Sequence, residues 1–287
     1  MAEAEGDVRL ELYSGMLKMM SNFDRPECIT PVYNYECENA ELAMRYDLGK
    51  VAGEGSELTQ ALNLLNWLSS NTFHSGEYDN SIPFNALDLL EYTFGQPIGK
   101  GVNCMALSKI LTECCLAVGL KARIVYIMPF NPYEADNHVV TVVFVQDLDK
   151  WVMLDPSYNA YMMDSDGVIL SPWEARQVLA EQGEIRLNDG YNYNGDYTGE
   201  VTGETHGYYV EYIAKDLFWF IGEDGSGQQF YVAPVGYDAR EYFIANIEYR
   251  IREFGESEGL VKWLEKVKGE DVGYVSLGEF GRRPYYL

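Results

Sequence analysis

A succession of one helical and three extended segments between Gly101 and Pro156 constrains the fold of this chain more than any other feature. From residue 105 to residue 118, apolar residues recur with the 3.6-residue period of a helix, and Gly119 is typical of the position after a helix. Three segments dense in β-branched residues follow and predict strands at 122–128, 138–145 and 150–154. Turn residues at 147–149 join the last two strands. This order predicts an α+β fold with a central antiparallel sheet.

The rest of the chain adds elements to this centre. Apolar periodicity and capping residues predict further helices at 8–20, 56–71, 171–182 and 256–268. Residues 188–208 are rich in Asn, Gly, Asp and Tyr, which predicts a long polar loop. Residues 208–251 predict strands that extend or cap the sheet, including 217–221 and 229–232. Because no repeat or linker divides the chain, we expect a single α+β domain over residues 1–287.

The composition limits the partners of such a domain. The chain has 21 basic and 45 acidic residues, a formal net charge of −24. Phosphate backbones and anionic bilayers would repel it, so we expect neither nucleic acid nor a membrane as partner. The first residues lack a signal-peptide pattern, and no window approaches the roughly 18 apolar residues of a membrane span. Five cysteines without metal-knuckle spacing favour a reducing environment. We therefore expect a cytoplasmic protein without a cofactor or metal.

Three residue types used in nucleophilic catalysis lie at the edges of the predicted elements. Cys104 begins the helix, where free backbone N–H groups and the helix dipole favour a thiolate. Its own N–H is a candidate donor to an oxyanion. His138 begins the second strand and Asp155 follows the third. This arrangement predicts a nucleophile, a base and a residue that orients the base.

The hairpin register determines whether His138 and Asp155 can meet. With a four-residue loop at 146–149, Asp155 lies opposite Val140, which shares a strand face with His138. A diagonal pair of this kind lies about 7–8 Å apart at the backbone, a distance that side chains can close. A loop with an odd number of residues would place Asp155 on the other face. The catalytic interpretation therefore requires an even loop.

The same stretch resembles the transglutaminase-like superfamily, a branch of the papain-like cysteine enzymes. The resemblance is carried by Gly101-Val102-Asn103-Cys104, by Val118-Gly119-Leu120-Lys121-Ala122-Arg123, by His138-Val139-Val140-Thr141-Val142-Val143 and by Lys150-Trp151-Val152-Met153-Leu154-Asp155-Pro156-Ser157. It covers about 56–185 and leaves a β-rich C-terminal extension at about 186–287. It implies a Cys-bearing helix packed on the sheet, the triad Cys104, His138 and Asp155, and acyl transfer from an amide through a thioester. Val139 and Val140 stand where many members have an aromatic residue.

The residues that would complete such a site stay open. Gln96, Asn103 and Asn85 are alternative side-chain donors to an oxyanion. His74 either lines the cleft or has a surface or capping role, and His206 is expected in a loop. A zinc site built from the triad lacks a dependable fourth ligand.

Two functions fit these residues. The first is a cysteine-dependent acyltransferase or hydrolase that acts on peptide or protein amides, with water favoured over an amine as acceptor by the resemblance. The second is a non-catalytic protein that binds peptide or carbohydrate in a groove lined by some of its 23 tyrosines. They differ in whether Cys104 reaches solvent and lies within hydrogen-bond reach of His138. The sequence predicts no oligomeric state.

Overall fold

The computed structural model describes residues 2–36, 40–78, 80–96, 98–134, 136–194 and 206–284. Its α-helices are α1 Ala2–Met19, α2 Ala40–Arg45, α3 Leu48–Ala52, α4 Glu57–Asn71, α5 Ala86–Thr93, α6 Cys104–Ala117, α7 Pro172–Ala180, α8 His206–Asp216, α9 Ala239–Phe254, α10 Glu258–Gly269 and α11 Leu277–Phe280. Its strands are β1 Lys121–Met128, β2 His138–Val145, β3 Lys150–Leu154, β4 Met162–Met163, β5 Arg186–Leu187, β6 Trp219–Glu223 and β7 Gln229–Val232. Among these residues, no helix has both the length and the apolar character needed to cross a bilayer.

A five-stranded antiparallel sheet, in the order β3-β2-β1-β6-β7, forms the centre of the described part of the chain. The predicted α+β fold with a central antiparallel sheet is therefore confirmed. The strands predicted at 138–145 and 150–154 match β2 and β3, and their register pairs Val145 with Lys150. The four-residue loop required for the meeting of His138 and Asp155 is thus present.

Two hydrophobic clusters cover the two faces of this sheet along β2. Successive β2 residues alternate between them: Val142 and Phe144 belong to one cluster, and Val143 and Val145 to the other. Helices α4, α5 and α6 contribute to the second cluster. Because both faces are covered, β2 is buried along its whole length, which explains its nearly uninterrupted apolar sequence.

Polar contacts within the second face fix α6 relative to β2. Ser108 Oγ donates to the Val139 carbonyl at 2.8 Å, and Thr141 Oγ1 donates to the Ser108 carbonyl at 3.0 Å. One turn later, the Thr112 and Thr141 hydroxyls lie 3.2 Å apart. Cys104 precedes Ser108 by one turn on the same side of the helix. These contacts therefore place the start of α6 beside the start of β2.

The C-terminal part differs from the predicted pattern of strands. Residues 217–221 and 229–232 do form β6 and β7, and these extend the sheet as expected. Helices α8 and α9, however, occupy most of the remainder of residues 206–254, so the prediction of strands there is wrong. His206, expected in a loop, begins α8. The predicted loop at 188–208 falls partly on residues 195–205, which lie outside the described residues. The division into one domain stays a prediction.

Candidate active site

Cys104 is the first residue of α6, and its surroundings favour a charged sulfur. Asn103 caps the helix, with its side-chain Oδ1 accepting from the Ala106 N–H at 3.0 Å. The N–H groups of the first turn and the helix dipole therefore point toward the Cys104 end. Cys114 and Cys115, in contrast, are buried in the body of α6, and burial raises the pKa of the Cys115 thiol to about 12.

The register of β2 and β3 brings His138 and Asp155 together. His138 Nε2 lies 2.7 Å from Asp155 Oδ2, and the two residues are only 2% and 0% exposed. The chain that follows Asp155 fixes its position. The backbone N–H and carbonyl of Asp155 both hydrogen-bond with Ala160, and its Oδ1 accepts from the Ser157 N–H at 2.9 Å. The carboxylate therefore faces the imidazole in a fixed orientation.

The thiol and the imidazole change each other's protonation. Burial alone would raise the pKa of the Cys104 thiol, but hydrogen bonds and charge from His138 and His74 outweigh it and lower the pKa to about 7. Burial alone would lower the pKa of His138, but the charge and hydrogen bond of Asp155, together with Cys104, raise it well above its ordinary value. Both changes favour a thiolate beside an imidazolium.

The two ring nitrogens of His138 have different neighbours. Nε2 faces Asp155, which leaves Nδ1 for the Cys104 thiol. The Tyr212 hydroxyl of α8 also lies 3.4 Å from Nδ1, and the two rings meet edge to face at 5.4 Å. Burial raises the pKa of Tyr212 and nearby carboxylates raise it further, so its hydroxyl keeps its proton. Tyr212 is therefore a neutral neighbour of the nitrogen that serves Cys104.

His74 is a second histidine beside the thiol. Residues 73–75 run along Val102 through backbone hydrogen bonds from Val102 to Phe73 and from Ser75 to Val102. Hydrogen bonding and charge from the His74 ring are among the causes that lower the pKa of Cys104, and its Nδ1 lies 2.8 Å from the Tyr193 hydroxyl. Its backbone is held on both sides by Asn194, which accepts from its N–H at 2.9 Å and donates to its carbonyl at 3.0 Å. His74 therefore belongs to the same site.

The other side chains suggested as oxyanion donors lie in different places or have other hydrogen-bond partners. Asn103 lines the cleft, but its Oδ1 caps α6 and its Nδ2 donates to Asn80. Gln96 lies in a separate surface depression with Tyr92 and Lys100. Asn85 caps α5 by accepting from the Asp88 N–H. Of the side chains suggested from the sequence as oxyanion donors or cleft residues, His74 is the one that helps to lower the pKa of the Cys104 thiol.

Sequence reasoning missed the contributions of α8 and of the segment before it. Tyr209 Oη donates to Asp155 Oδ2 at 2.9 Å, and Tyr212 and Tyr193 contact the two histidines. These tyrosines lie more than 50 residues beyond Asp155 or in a polar segment, so no local spacing connects them to the site. The three-residue spacing of Tyr209 and Tyr212, which places both on one face of a helix, is the sequence signal that could have indicated their shared position.

The site opens into a cleft of about 1210 Å³. Cys104, His138, His74 and Tyr212 line one end, and residues of β7, α9 and α10 line the other. Cys104 itself is partly exposed. A substrate in this cleft would therefore lie against Cys104.

Comparisons with known proteins find a family model that is similar to part of the chain. Residues 45–156 match the family model described as the Transglutaminase-like superfamily. A structure described as a "Putative Cysteine Protease" from Cytophaga hutchinsonii is similar at 13% identity with a TM-score of 0.34, over 55% of this chain and about half (51%) of that one. No curated protein matched the chain. The resemblance noted in the sequence is thus confirmed over residues 45–156, a segment that contains Cys104, His138 and Asp155.

Proposed function

We propose that this protein is a cysteine-dependent hydrolase of peptide or protein amides, with Cys104 as nucleophile, His138 as acid and base, and Asp155 as the residue that orients His138. One observation carries the proposal: His138, held at 2.7 Å by the buried Asp155, lies beside a thiol at a helix N-terminus. The partial exposure of Cys104, and the hydrogen bonding and charge from His138 that lower its pKa, also favour catalysis over the alternative of a binding protein.

The first half of the reaction forms a thioester. The Cys104 thiolate attacks the carbonyl carbon of the amide, and the carbonyl oxygen takes up the displaced electron pair as an oxyanion. The Cys104 N–H at the start of α6 is oriented to stabilise that charge. When the intermediate collapses, the C–N bond breaks and imidazolium His138 gives its Nδ1 proton to the leaving amine. The acyl group then remains on the sulfur.

The second half releases the acyl group. Neutral His138 takes a proton from water, whose oxygen attacks the thioester carbonyl. The C–S bond breaks, the product leaves as a carboxylic acid, and the thiolate–imidazolium pair is restored. An amine in place of water would give cross-linking by the same steps.

His74 supplies a second donor in this scheme. Its Nδ1 faces the Tyr193 hydroxyl, so a neutral ring that accepts from Tyr193 has its proton on Nε2, the nitrogen left to face Cys104. That N–H helps to stabilise the thiolate before attack and the oxyanion after it. In this role His74 replaces Gln96 and Asn103, whose side chains have other positions or partners.

Alkylation with iodoacetamide tests the nucleophile. When iodoacetamide labelling is followed by mass spectrometry across pH 5–10, labelling of Cys104 should titrate with a pKa of about 7, below the pKa of about 12 of Cys115. In His138→Ala, Cys104 should react at least about tenfold more slowly at pH 7, because the thiolate loses its main partner. Uniform labelling of all cysteines would contradict the proposal.

A peptide library tests the reaction. Hydrolysis should be lost in Cys104→Ala and retained in Cys28→Ser, which changes an exposed cysteine. Added primary amine should leave the acid as the main product if water is the acceptor. A predominant amide product would show amine transfer instead, and turnover by Cys104→Ala would exclude Cys104 as the nucleophile.

A further inference from the structure

The floor of the cleft is a row of side chains that crosses four strands. The register pairs Val139 of β2 with Tyr126 of β1, Tyr126 with Ile221 of β6, and Ile221 with Tyr231 of β7. Residues paired directly opposite each other in an antiparallel sheet point to the same face. All four line the cleft. A continuous track therefore leads from the start of β2, next to His138, to β7.

The length of this track sets the size of the ligand. Three strand spacings of about 4.8 Å separate β2 from β7, so the far end lies about 14 Å from His138. An extended peptide advances about 3.3 Å per residue, so roughly four residues span that distance. A group in the far end thus belongs to a residue well removed from the amide that Cys104 attacks.

Aromatic rings form the wall at the far end. Tyr231 and Phe243 lie 5.9 Å apart, and Phe243 and Trp263 lie 5.7 Å apart edge to face. Trp263 and Val267 are on α10, an amphipathic helix in which no residue is fully buried. Its apolar face therefore borders the cleft rather than a closed core, and leaves apolar area that a ligand can cover.

Charge does not select the ligand at this end. Lys266 lies 3.8 Å from Glu270, and Arg250 donates to the Asn246 side chain at 3.0 Å. Asp271 adds a carboxylate to the same lining. Since cations and carboxylates occur together, neither an acidic nor a basic group would have a consistent partner. The aromatic wall is the feature with a clear preference.

We propose that the pocket formed by Tyr231, Phe243, Trp263 and Val267 binds an aromatic or large aliphatic side chain of the substrate, about four residues from the amide attacked by Cys104. The proposal rests on the proposed function for the location of that amide. The wall is contributed by β7, α9 and α10, outside the segment 45–156 that matches the family.

Peptide binding to the Cys104→Ala protein tests the pocket without any turnover. A fluorescein-labelled decapeptide is compared with a series in which one Phe is moved along a chain of Ala and Ser. Phe at one position should tighten binding at least about tenfold over the all-Ala/Ser peptide, as expected for burying a ring. Trp263→Ala should remove most of that gain, and Val267→Asp should do the same by placing a charge in the pocket.

Phe254→Ala is the matched control, because Phe254 is 73% exposed at the end of α9. It should bind all peptides as the parent protein does. Circular dichroism melts identify variants that fail to fold. Equal affinity for the Phe and Ala/Ser peptides, or an unchanged Phe preference in both pocket variants, would overturn the pocket. Because the binding assay contains no Cys104 thiol, its outcome is independent of whether Cys104 is the nucleophile, which the alkylation experiment decides.

Discussion

At the scale of single residues, the Asp155 carboxylate is held by donors from three parts of the chain. Its Oδ2 lies 2.7 Å from His138 Nε2 and accepts from Tyr209 Oη at 2.9 Å, and its Oδ1 accepts from the Ser157 N–H at 2.9 Å. Tyr209 is buried, and both burial and the charge of Asp155 raise its pKa well above the ordinary value, so its hydroxyl remains a donor. In the proposed mechanism, Tyr209 therefore acts on His138 through Asp155 as a positioning residue.

Tyr209→Phe should lower kcat about tenfold, because a hydrogen bond to a charged group contributes roughly 1.5–3 kcal/mol. KM should stay the same, since Tyr209 holds Asp155 and is not among the residues that line the cleft. Steady-state kinetics on a hydrolysed peptide measure both constants. Tyr242→Phe is the control, a buried tyrosine of α9 that packs on Trp219. A rise in KM with unchanged kcat would contradict the positioning role.

The contrast between predicted and observed site residues has a physical origin. Cys104, His138 and Asp155 lie at the ends of periodic segments, and the parity of one hairpin loop links two of them, so local pattern suffices to choose them. Tyr209 and Tyr193 reach the site only because α8 and residues 188–194 pack against it. Such long-range packing has no signature in residue spacing.

At the scale of elements, the strand-like contact between residues 73–75 and Val102 determines where His74 lies. A side chain at Gly101 would meet Phe73 Cδ1 and Ser75 Cβ at 2.7 Å and the Phe73 carbonyl at 3.0 Å. Only glycine allows the two segments to approach this closely. Gly101 thus links the loop before α6 to the position of the second histidine.

Gly101→Ala should lower the free energy of unfolding by about 1–3 kcal/mol through overpacking. It should also raise the pKa of Cys104 above about 7, because His74 moves away from the thiol. Urea denaturation and the pH dependence of iodoacetamide labelling measure the two effects. Gly99→Ala is the matched control, since a Cβ there meets nothing within 4 Å. Equal behaviour of the two variants would show that the close approach at Gly101 has no such role.

Elements were predictable where local pattern and packing agree. Helix α6 and strands β1 to β3 have a clear period and clear ends, and α4, predicted at 56–71, begins after Ser56, whose side chain accepts from the Thr59 N–H. In α8 and α9, clusters of Tyr, Phe and Ile favour strands locally. There α8 packs on α1, and α9 packs on α10. Tertiary packing therefore overrides the local preference.

At the scale of the whole molecule, a net charge of −24 disfavours each further negative charge, so a carboxylate that is buried without donors has a cost that depends on pH. Asp216, at the end of α8, is completely buried, and among the described residues neither of its carboxylate oxygens has a hydrogen-bond donor. Lys215 Nζ lies 3.7 Å from its Oδ1 but also 3.8 Å from both Glu134 and Asp136. Burial is the main cause that raises the pKa of Asp216 well above its ordinary value, and the positive charges of Lys215 and His138 only partly oppose it.

Asp216→Asn should therefore raise the melting temperature at pH 8 and have little effect near pH 4. In the unfolded chain the carboxyl ionises near its ordinary pKa of 3.8, whereas in the folded protein it holds its proton to higher pH. The stability that the protonated Asp216 carboxyl contributes is thus fully present below the unfolded pKa and is lost as the pH rises through the folded pKa. The loss is about 1.4 kcal/mol for each pH unit between the two pKa values. Asn cannot ionise and avoids this loss.

Thermal melts of Asp216→Asn and the parent protein across pH 4–8 measure the difference. Asp189→Asn is the control, because it removes the same charge from an exposed position. A gain in Asp216→Asn that is equal at both ends of the range, or matched by Asp189→Asn, would show that burial of this carboxyl does not govern the pH dependence.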